Sequence, residues 1–302
     1  MDPIYGRIAS NKRKTFFLFL LYAVLFVAIG YFGGIYLGDP IAGIILAVVI
    51  FVIILLISYF GGQSAVTAMA GAKEVSKQQE PFLYNTVEGL SYATGKPMPK
   101  VYIIETDVPN AFAAGRNPKN AVVAVTRGLM KRLNRQELEG VLAHEMAHIN
   151  NYDVLLATVA VVLAGTIVFF AAIVRNMVFF GGLGRGGGRK SGQGQLIALV
   201  VLIALAILAP IFAQLLRFAI SRQREYLADA TAADFTGYPE GLASALEKIT
   251  NSQVKNSPIE NNALNGLYIV NPAIGARQSN RASALYSTHP PAEERVKRLR
   301  AM

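Results

Sequence analysis

The chain has 302 residues and a formal net charge of +10, and 53% of its residues are hydrophobic whereas only 16% are charged. Because an ordinary soluble domain has about 25% charged residues and the excess basic residues here flank apolar segments, the composition indicates a polytopic membrane protein and gives no support to nucleic-acid binding. The absence of cysteine excludes disulfides, thiolate metal ligands and a cysteine nucleophile, so any bound metal must be held by His, Asp or Glu.

Two apolar segments near the N-terminus predict a membrane-anchoring helical hairpin within residues 1–60. Residues 15–37 carry no charge and are long enough to cross a hydrocarbon core of about 30 Å as a helix. Residues 41–60 form a second such segment, and only a short Gly-Asp-Pro turn separates the two. A cleaved signal peptide is the alternative, because the basic sequence NKRK precedes the first segment. An uncleaved anchor is favoured, since the segment is longer than a typical signal-peptide core and a second span follows at once.

Residues 61–153 are predicted to form the first part of a polar domain. The sequence EPFLYNTVEGLSYATGK has apolar residues at helical spacing, with proline near its start and glycine at its end. The segments KVYIIE and AVVAVT are rich in β-branched residues and predict strands, and PNAFAAGRNPKN between them predicts an edge strand with a turn. Asn134 followed by Glu137 is an N-cap signature, which predicts a helix from about Arg135.

Two further apolar segments, residues 154–174 and 196–216, predict a second membrane hairpin within residues 154–219. The glycine-rich sequence GGLGRGGGRKSGQGQ links them, and residues 220–302 form the second part of the polar domain. Basic residues precede the first apolar segment and none lies in the turn after it, so the positive-inside rule places the polar domain in the cytoplasm. The basic residues of the glycine-rich linker disagree with this orientation. The conflict leaves open that the third and fourth segments only dip into the bilayer.

Two of the three histidines of the chain lie in the sequence VLAHEMAHIN on the helix predicted from Arg135. His144 and His148 are four positions apart, so both imidazoles lie on one helix face and can bind one ion. Glu145 is turned by about 100° around the helix axis, where its carboxylate can serve as general base towards a metal-activated water. The alternative is a pair of helix histidines that make only polar contacts. The His-Glu-x-x-His motif is nevertheless specific in a chain so poor in histidine.

A zinc hydrolase needs a third protein ligand and an open fourth position. The sequence SRQREYLADATAADF offers Glu225, with Asp229 one helical turn further on. If Glu225 binds the metal, Asp229 faces the same site and can accept a hydrogen bond from the outer nitrogen of a ligand histidine. Taken alone, Glu225 is more typical of a solvated surface charge. The second apolar hairpin, however, returns the chain to the membrane face that it left after His148, and two imidazoles with one carboxylate favour zinc.

These motifs resemble those of the HtpX family of membrane-integrated zinc metalloproteases, within peptidase family M48, which also contains the prenyl-protein (CAAX) endopeptidase Ste24. The resemblance covers nearly the whole chain and includes GKPMPKVYIIETDVPNAFAAG, RQELEGVLAHEMAHINNYD, SRQREYLADATAA and STHPPAEERVKRL. It implies that His144, His148 and Glu225 bind one zinc ion per chain. It also implies that Glu145 is the catalytic acid–base and that Asp229 orients a ligand histidine.

The resemblance implies roles for two further residues, each with an alternative. Asn110 would lie on the substrate-binding edge, where an extended peptide could pair with the backbone; the alternative is a turn residue before a strand. His289 would help to stabilise the oxyanion, and the alternative is a capping histidine before a helix. Arg222 could also reach the site, although a salt bridge or a lipid phosphate is the preferred interpretation.

The predicted fold is an α-rich α+β multi-pass membrane protein, with four apolar helices and a gluzincin-like metallopeptidase domain that contains a small sheet. The resemblance implies endoproteolysis of misfolded or damaged membrane proteins in quality control and the stress response. The expected location is the cell inner membrane with the active site facing the cytoplasm, and the expected partners are peptide or membrane-protein substrates and the lipid bilayer. A non-catalytic scaffold with a structural zinc is the alternative, which the intact Glu145 disfavours. A transporter is disfavoured because the apolar segments contain almost no ionisable residue.

Overall fold

The structure is a computed structural model, and it describes residues 3–166, 222–252, 267, 269 and 290–302. The predicted apolar segment 196–216, the end of segment 154–174 and His289 lie outside the described residues. The helices are α1 (Pro3–Leu37), α2 (Pro40–Phe60), α3 (Gly62–Met69), α4 (Pro81–Thr94), α5 (Arg127–Arg132), α6 (Arg135–Asn150), α7 (Asp153–Thr166), α8 (Arg222–Thr236), α9 (Pro239–Asn251) and α10 (Ala292–Leu299). The strands are β1 (Lys73–Glu74), β2 (Lys100–Ile104), β3 (Ala111–Asn117) and β4 (Asn120–Thr126).

Helices α1 and α2 form the predicted N-terminal hairpin. The Arg13–Tyr31 part of α1 and the whole of α2 are long and apolar enough to cross a membrane. Many of their large apolar side chains are exposed, as contact with lipid acyl chains requires. Gly38, with a φ of 91°, makes the turn between the helices. Asp39 then caps α2 by accepting hydrogen bonds from the backbone N–H groups of Ile41 and Ala42.

The prediction of four apolar helices is not confirmed within the described residues, which contain two candidate spans. Helix α7 begins where the third apolar segment is expected, and it meets α6 at an angle of 87°. If this bent pair of helices is counted as one broken span, the described residues contain up to three spans. Leu155, Val159 and Leu163 of α7 are buried against α1 and α2. The described part of the third segment therefore packs against the N-terminal hairpin, and several of its apolar side chains are covered by protein.

The small sheet is mixed, with the strand order β1–β2–β4–β3. β2 runs parallel to β4, whereas β1 and β3 pair antiparallel with their neighbours. The predicted strands KVYIIE and AVVAVT and the predicted edge strand are confirmed as β2, β4 and β3. β1 has only two residues, which is too short for a periodic pattern, and the sequence does not predict it.

Both faces of this sheet are buried, which explains the unbroken apolar run of β4. Val123 and Val125 belong to a core formed with α4, α6 and α9. Val122 and Ala124 point to the opposite face and belong to a second core, formed with α3 and α7. Side chains alternate between the two faces of a strand, so a strand that is covered on both sides must be apolar at every position.

Helix α6 packs against the sheet, α8 and α9. It begins at Arg135, as predicted. Asn134 and Glu137 form the capping box, because each side chain accepts a hydrogen bond from the backbone N–H of the other. Glu137 also accepts hydrogen bonds from Ser244 and Lys248 of α9, at 2.6 and 2.8 Å. Burial alone would raise the pKa of Glu137, but the hydrogen bonds from Lys248, Ser244 and the backbone of Asn134 lower it below its ordinary value.

We expect Glu137→Gln to reduce the free energy of unfolding by about 1 kcal/mol near neutral pH, because glutamine keeps the capping geometry but loses the charge that faces Lys248 and the helix N-terminus. The folded-state pKa of Glu137 lies below the ordinary value of 4.5. The carboxylate's contribution is therefore fully present above that value and is lost as the pH falls through the folded-state pKa. Thermal unfolding of the detergent-solubilised protein across this range measures the difference. Glu139→Gln on the same helix is the matched control, and a loss that did not depend on pH would contradict the electrostatic explanation.

Candidate metal centre

The two histidines of α6 converge in the protein interior. His144 is 1% exposed, and its Nε2 atom lies 3.2 Å from Nε2 of His148. The two rings are nearly perpendicular, at 89°. The four-residue spacing places both side chains on one helix face, and the packing of α8 against that helix encloses them.

Helix α8 brings Glu225 to the same point. Its Oε2 atom is 3.7 Å from Nε2 of His144, its Oε1 atom is 3.4 Å from Nε2 of His148, and the residue is 3% exposed. One ligand atom from each of the three residues lies within 4.8 Å of the other two. The structure thus brings together the three residues that the sequence predicts as metal ligands, although residues 154–219 separate Glu225 from the histidines along the chain.

Asp229 lies one turn further along α8 and contacts His144 from the side away from Glu225. Its Oδ1 atom is 3.0 Å from Nδ1 of His144, and Arg295 of α10 donates hydrogen bonds to both of its oxygens, at 2.9 and 2.6 Å. Burial alone would raise the pKa of Asp229, but the charge of Arg295 and the hydrogen bond from His144 lower it to about 2. The ionised carboxylate therefore accepts a hydrogen bond from the Nδ1–H group of His144, which directs the lone pair of Nε2 towards His148 and Glu225.

Asp153 makes the equivalent contact with the other imidazole. Its Oδ2 atom lies 3.1 Å from Nδ1 of His148, and its Oδ1 atom lies 3.5 Å from Nη1 of Arg224. The chain reaches Asp153 through Tyr152, whose positive φ of 58° turns the backbone out of α6. The sequence does not predict this role, because a turn rather than a helical period sets the position. An acidic residue at the head of an apolar segment is the one sequence signal that could have indicated it.

Arg295 is another residue whose role the sequence does not reveal. It is 1% exposed, with Nη1 at 3.7 Å from Oε2 of Glu225 and Nη2 at 3.3 Å from Nε2 of His144. Its surroundings, AEERVKRLR, have the pattern of an amphipathic surface helix, in which nothing distinguishes one arginine from its neighbours. Its buried guanidinium offsets part of the charge of the two carboxylates that it contacts, Glu225 and Asp229.

The donor set fits a zinc ion. Because both Nδ1 atoms face carboxylates, the two Nε2 atoms turn lone pairs towards each other at 3.2 Å, an arrangement that a shared cation stabilises. The separations of 3.2, 3.4 and 3.7 Å among the nitrogen and oxygen atoms are close to the edge of about 3.3 Å between ligands at tetrahedral zinc. Burial lowers the pKa of His148, but Glu225 and Asp153 raise it well above its ordinary value overall. The potential at this site therefore favours a cation.

The remaining predicted site residues differ in how they relate to this centre. Glu145 is 3% exposed on α6, and its charge acts on the buried Arg295. Arg222 is exposed at the start of α8, where its charge adds to the larger effect of Arg298 in lowering the pKa of Glu294. The predicted oxyanion residue, His289, lies outside the described residues.

Asn110 immediately precedes strand β3 and is 1% exposed. Its side-chain Oδ1 accepts a hydrogen bond from the backbone N–H of Ala111 at 3.0 Å, and its own backbone N–H donates to Oγ1 of Thr126 at 2.9 Å. These contacts fix the start of the edge strand, as the turn interpretation of Asn110 requires. A role in substrate binding remains a prediction.

A buried His-Glu-x-x-His helix, a carboxylate from a later helix and acidic residues behind both imidazoles define a metallopeptidase, here attached to apolar helices that can cross a membrane. The model of peptidase family M48 matches residues 76–302, and the chain therefore belongs to this family. This range includes every described residue of the candidate metal centre.

Curated relatives match the whole chain. A protein named Protease HtpX homolog from Dictyoglomus turgidum is 47% identical over 309 residues, which cover 99% of this chain and 94% of that protein. A protein of the same name from Streptococcus gordonii is 42% identical, with coverage of 99% and 100%. Among solved structures, the crystal structure of S. mikatae Ste24p has a TM-score of 0.48 and 18% identity, and the match covers 98% of this chain and 67% of that one. The family and the full-length relatives establish that this chain is a membrane metalloprotease.

Proposed function

We propose that this protein is a zinc-dependent endopeptidase that hydrolyses peptide bonds at the surface of the cell membrane, with one zinc ion per chain held by His144, His148 and Glu225. The observation that carries the proposal is the convergence of these three donors, with separations of 3.2 to 3.7 Å. Asp229 and Asp153 would orient the two imidazoles through their Nδ1 atoms. The donor set of two nitrogens and one carboxylate suits zinc better than the harder magnesium or calcium ions.

The reaction that this geometry supports is attack of water on a peptide carbonyl. When bound, zinc would lower the pKa of water and polarise the substrate carbonyl. Glu145 lies next to His144 in the sequence, on a different face of α6, and would accept the proton of the attacking water and later donate it to the leaving amine. The burial of Glu145 limits competition from bulk water for this proton transfer.

Strand β3 would hold the substrate in an extended conformation. Besides its pairing with β4, two of its backbone groups already have partners in the chain, since Ile269 N donates to Ala111 O at 3.2 Å and Gly115 N donates to Thr158 Oγ1 at 2.8 Å. A peptide would therefore pair with the strand between these points, beside Ala113, or would displace one of the two partners. Asn110 would contribute indirectly, by fixing where the strand begins.

The proposed substrates are misfolded or damaged membrane proteins, and the proposed location is the cell inner membrane with the metal centre facing the cytoplasm. The names of the full-length relatives, each called Protease HtpX homolog, support a protease, and the substrate class follows from the resemblance of the motifs to the HtpX family. The basic residues before the first span support a cytoplasmic polar domain. The division into residues 1–60, 61–153, 154–219 and 220–302 is part of this proposal.

The alternative function is a non-catalytic membrane scaffold in which the metal only stabilises the fold. The burial of Glu145 beside the metal ligands disfavours it, because a structural site needs no additional ionisable carboxylate and burying one is costly.

Metal removal separates the two functions. We expect a chelator such as 1,10-phenanthroline to abolish casein cleavage by the purified full-length protein, and about one equivalent of zinc per chain to restore it. Metal analysis before and after chelation, with cleavage measured on the same samples, is the experiment. Cleavage that survives complete metal removal would exclude the proposed mechanism, and a metal-replete protein without any cleavage would favour the scaffold.

A further inference from the structure

A cavity of about 780 Å³ lies where the membrane hairpin meets the polar domain. None of the described residues of the candidate metal centre lines it. One wall consists of side chains from the middle of α1 and the end of α2, and another consists of residues that follow α4, end β3 and form the β3–β4 turn. Its lining includes the aromatic residues Phe16, Phe19 and Tyr59 and the basic residues Lys96, Arg116 and Lys119. We call it the basic cleft. Its volume is in the range of about 300–1,000 Å³ that is usual for small-molecule sites.

The described residues that line the basic cleft carry a net positive charge. Lys96, Arg116 and Lys119 line it, whereas no acidic residue appears in its described lining. In the described part of the chain, none of these three cations forms an ion pair with a carboxylate. Other surface lysines do find partners, such as Lys77 with Glu88 at 2.7 Å. A cluster of like charges that repel one another favours an anionic ligand.

The apolar wall of the basic cleft belongs to the membrane-facing surface. The guanidinium of Arg116 lies over the rings of Tyr59 and Phe60, at 5.5 and 4.8 Å from the ring centres. These two aromatics end α2, and Phe16 lies near the start of the candidate span in α1. Phe60 is 61% exposed and Phe16 is 63% exposed. Aromatic residues at the end of a membrane span, combined with basic residues, mark the level of the lipid headgroups.

We propose that the basic cleft binds the headgroup of an anionic phospholipid. The phosphate would contact Lys96, Arg116 and Lys119, and the acyl chains would lie along Phe16 and Phe19. A lipid fits better than an acidic peptide, because the apolar wall is formed by the helices that face the acyl chains and is continuous with them. The same wall argues against free phosphate, because a phosphate ion has no apolar part that could contact the rings of Phe16 and Phe19. The bound lipid would join the polar domain to the hairpin at the β3–β4 turn, next to the proposed substrate strand.

The test uses the full-length protein, delipidated in mild detergent and titrated with phosphatidylglycerol or phosphatidylcholine, with retained lipid counted by native mass spectrometry. The variant replaces all three cleft cations by glutamine (K96Q, R116Q and K119Q). Each cation near a headgroup contributes about 1 kcal/mol, so binding of phosphatidylglycerol should weaken on the order of 100-fold. Phosphatidylcholine should bind weakly to both proteins, because its headgroup has no net charge.

A matched control removes the same total charge elsewhere, through K73Q, K77Q and K131Q, and should retain phosphatidylglycerol within about two-fold of the original protein, since long-range charge is screened. R116K keeps the charge and should retain most of the binding, which separates loss of the ligand site from loss of the fold. Thermal unfolding monitors all variants.

Four outcomes would overturn the proposal. The first is equal retention of phosphatidylglycerol by the triple cleft variant and the original protein. The second is retention of phosphatidylcholine by the original protein that equals its retention of phosphatidylglycerol. The third is full displacement of phosphatidylglycerol by inorganic phosphate at the same concentration as the lipid. The fourth is an increased KM for acidic peptides in the triple variant with unchanged lipid retention, which would assign the basic cleft to substrate. The three outcomes measured by lipid retention depend on neither metal binding nor peptide hydrolysis, so the proposal can fail independently of the proposed function.

Discussion

Glu145→Gln is expected to reduce casein cleavage by about 100- to 10,000-fold while leaving the zinc content of the protein unchanged, because glutamine has the same shape but cannot accept a proton from water. The three proposed ligands do not include Glu145, so the separations among His144, His148 and Glu225 should persist. The residue is 3% exposed, and bulk water is therefore poorly placed to substitute for the missing base. Cleavage rates and metal analysis on the same preparation measure both parts of the prediction.

Two control variants make this result specific. Glu139→Gln removes a carboxylate from the same helix outside the centre and should leave cleavage within about two-fold of the original rate. Glu225→Gln should lose zinc and cleavage together, because it removes the charged ligand. If Glu145→Gln cleaved casein at the original rate, Glu145 would not be the general base. If it lost zinc, Glu145 would have to be a ligand or a determinant of the site's structure.

The local part of the site could be predicted from the sequence because it depends on helical period alone. Asn134 and Glu137 fix the start of α6, and the four-residue spacing then places His144 and His148 on one face. The prediction of Glu225 required one further physical argument, that an apolar hairpin returns the chain to the membrane face it left. The start of α6, the shared face of the two histidines and the return of the chain to Glu225 each depend on one helix or on one topological step.

The layer behind the ligands could not be predicted, because it depends on tertiary structure. Asp153 reaches His148 only because the backbone of Tyr152 adopts a positive φ, which no residue in that segment signals. Arg295 reaches Asp229 and Glu225 from the last helix, and its sequence neighbours resemble any solvated helix surface. Likewise, the packing of α7 against α1 and α2 depends on tertiary structure, and its apolar composition alone does not predict it.

Three carboxylates thus surround two imidazoles, and the protein supplies two arginines of its own to offset them. Arg295 is bound closely to Asp229, with contacts of 2.6 and 2.9 Å, whereas Arg224 lies 3.5 Å from Asp153. The two halves of the centre are therefore chemically similar but differ in how strongly each acidic residue depends on a buried cation. This asymmetry leads to a prediction about stability as well as metal binding.

Asp229→Asn is expected to weaken zinc binding by about 10- to 100-fold. The variant lacks the carboxylate that accepts a hydrogen bond from Nδ1–H of His144 and so keeps Nε2 free to bind the metal. It should also lower the free energy of unfolding of the metal-free protein by about 3 kcal/mol, since Arg295 would remain buried with much less compensating charge. Competition with a zinc-binding dye measures the affinity. Thermal or denaturant unfolding of the chelated protein in detergent measures the stability.

Asp153→Asn is the matched control, and it separates these two effects. It should cause a similar loss of zinc affinity through His148 but a smaller loss of stability, because the contact of Asp153 with Arg224, at 3.5 Å, is longer than the two that Arg295 makes with Asp229. Adding Arg295→Met to Asp229→Asn should then restore part of the stability, since the unpaired guanidinium is gone, while zinc affinity stays low. Equal destabilisation by the two asparagine variants, or no recovery in the double variant, would show that the buried charge of Arg295 is not what makes Asp229 necessary. The two carboxylates would then act on their imidazoles alone, and the difference between the two halves of the centre would have no energetic consequence.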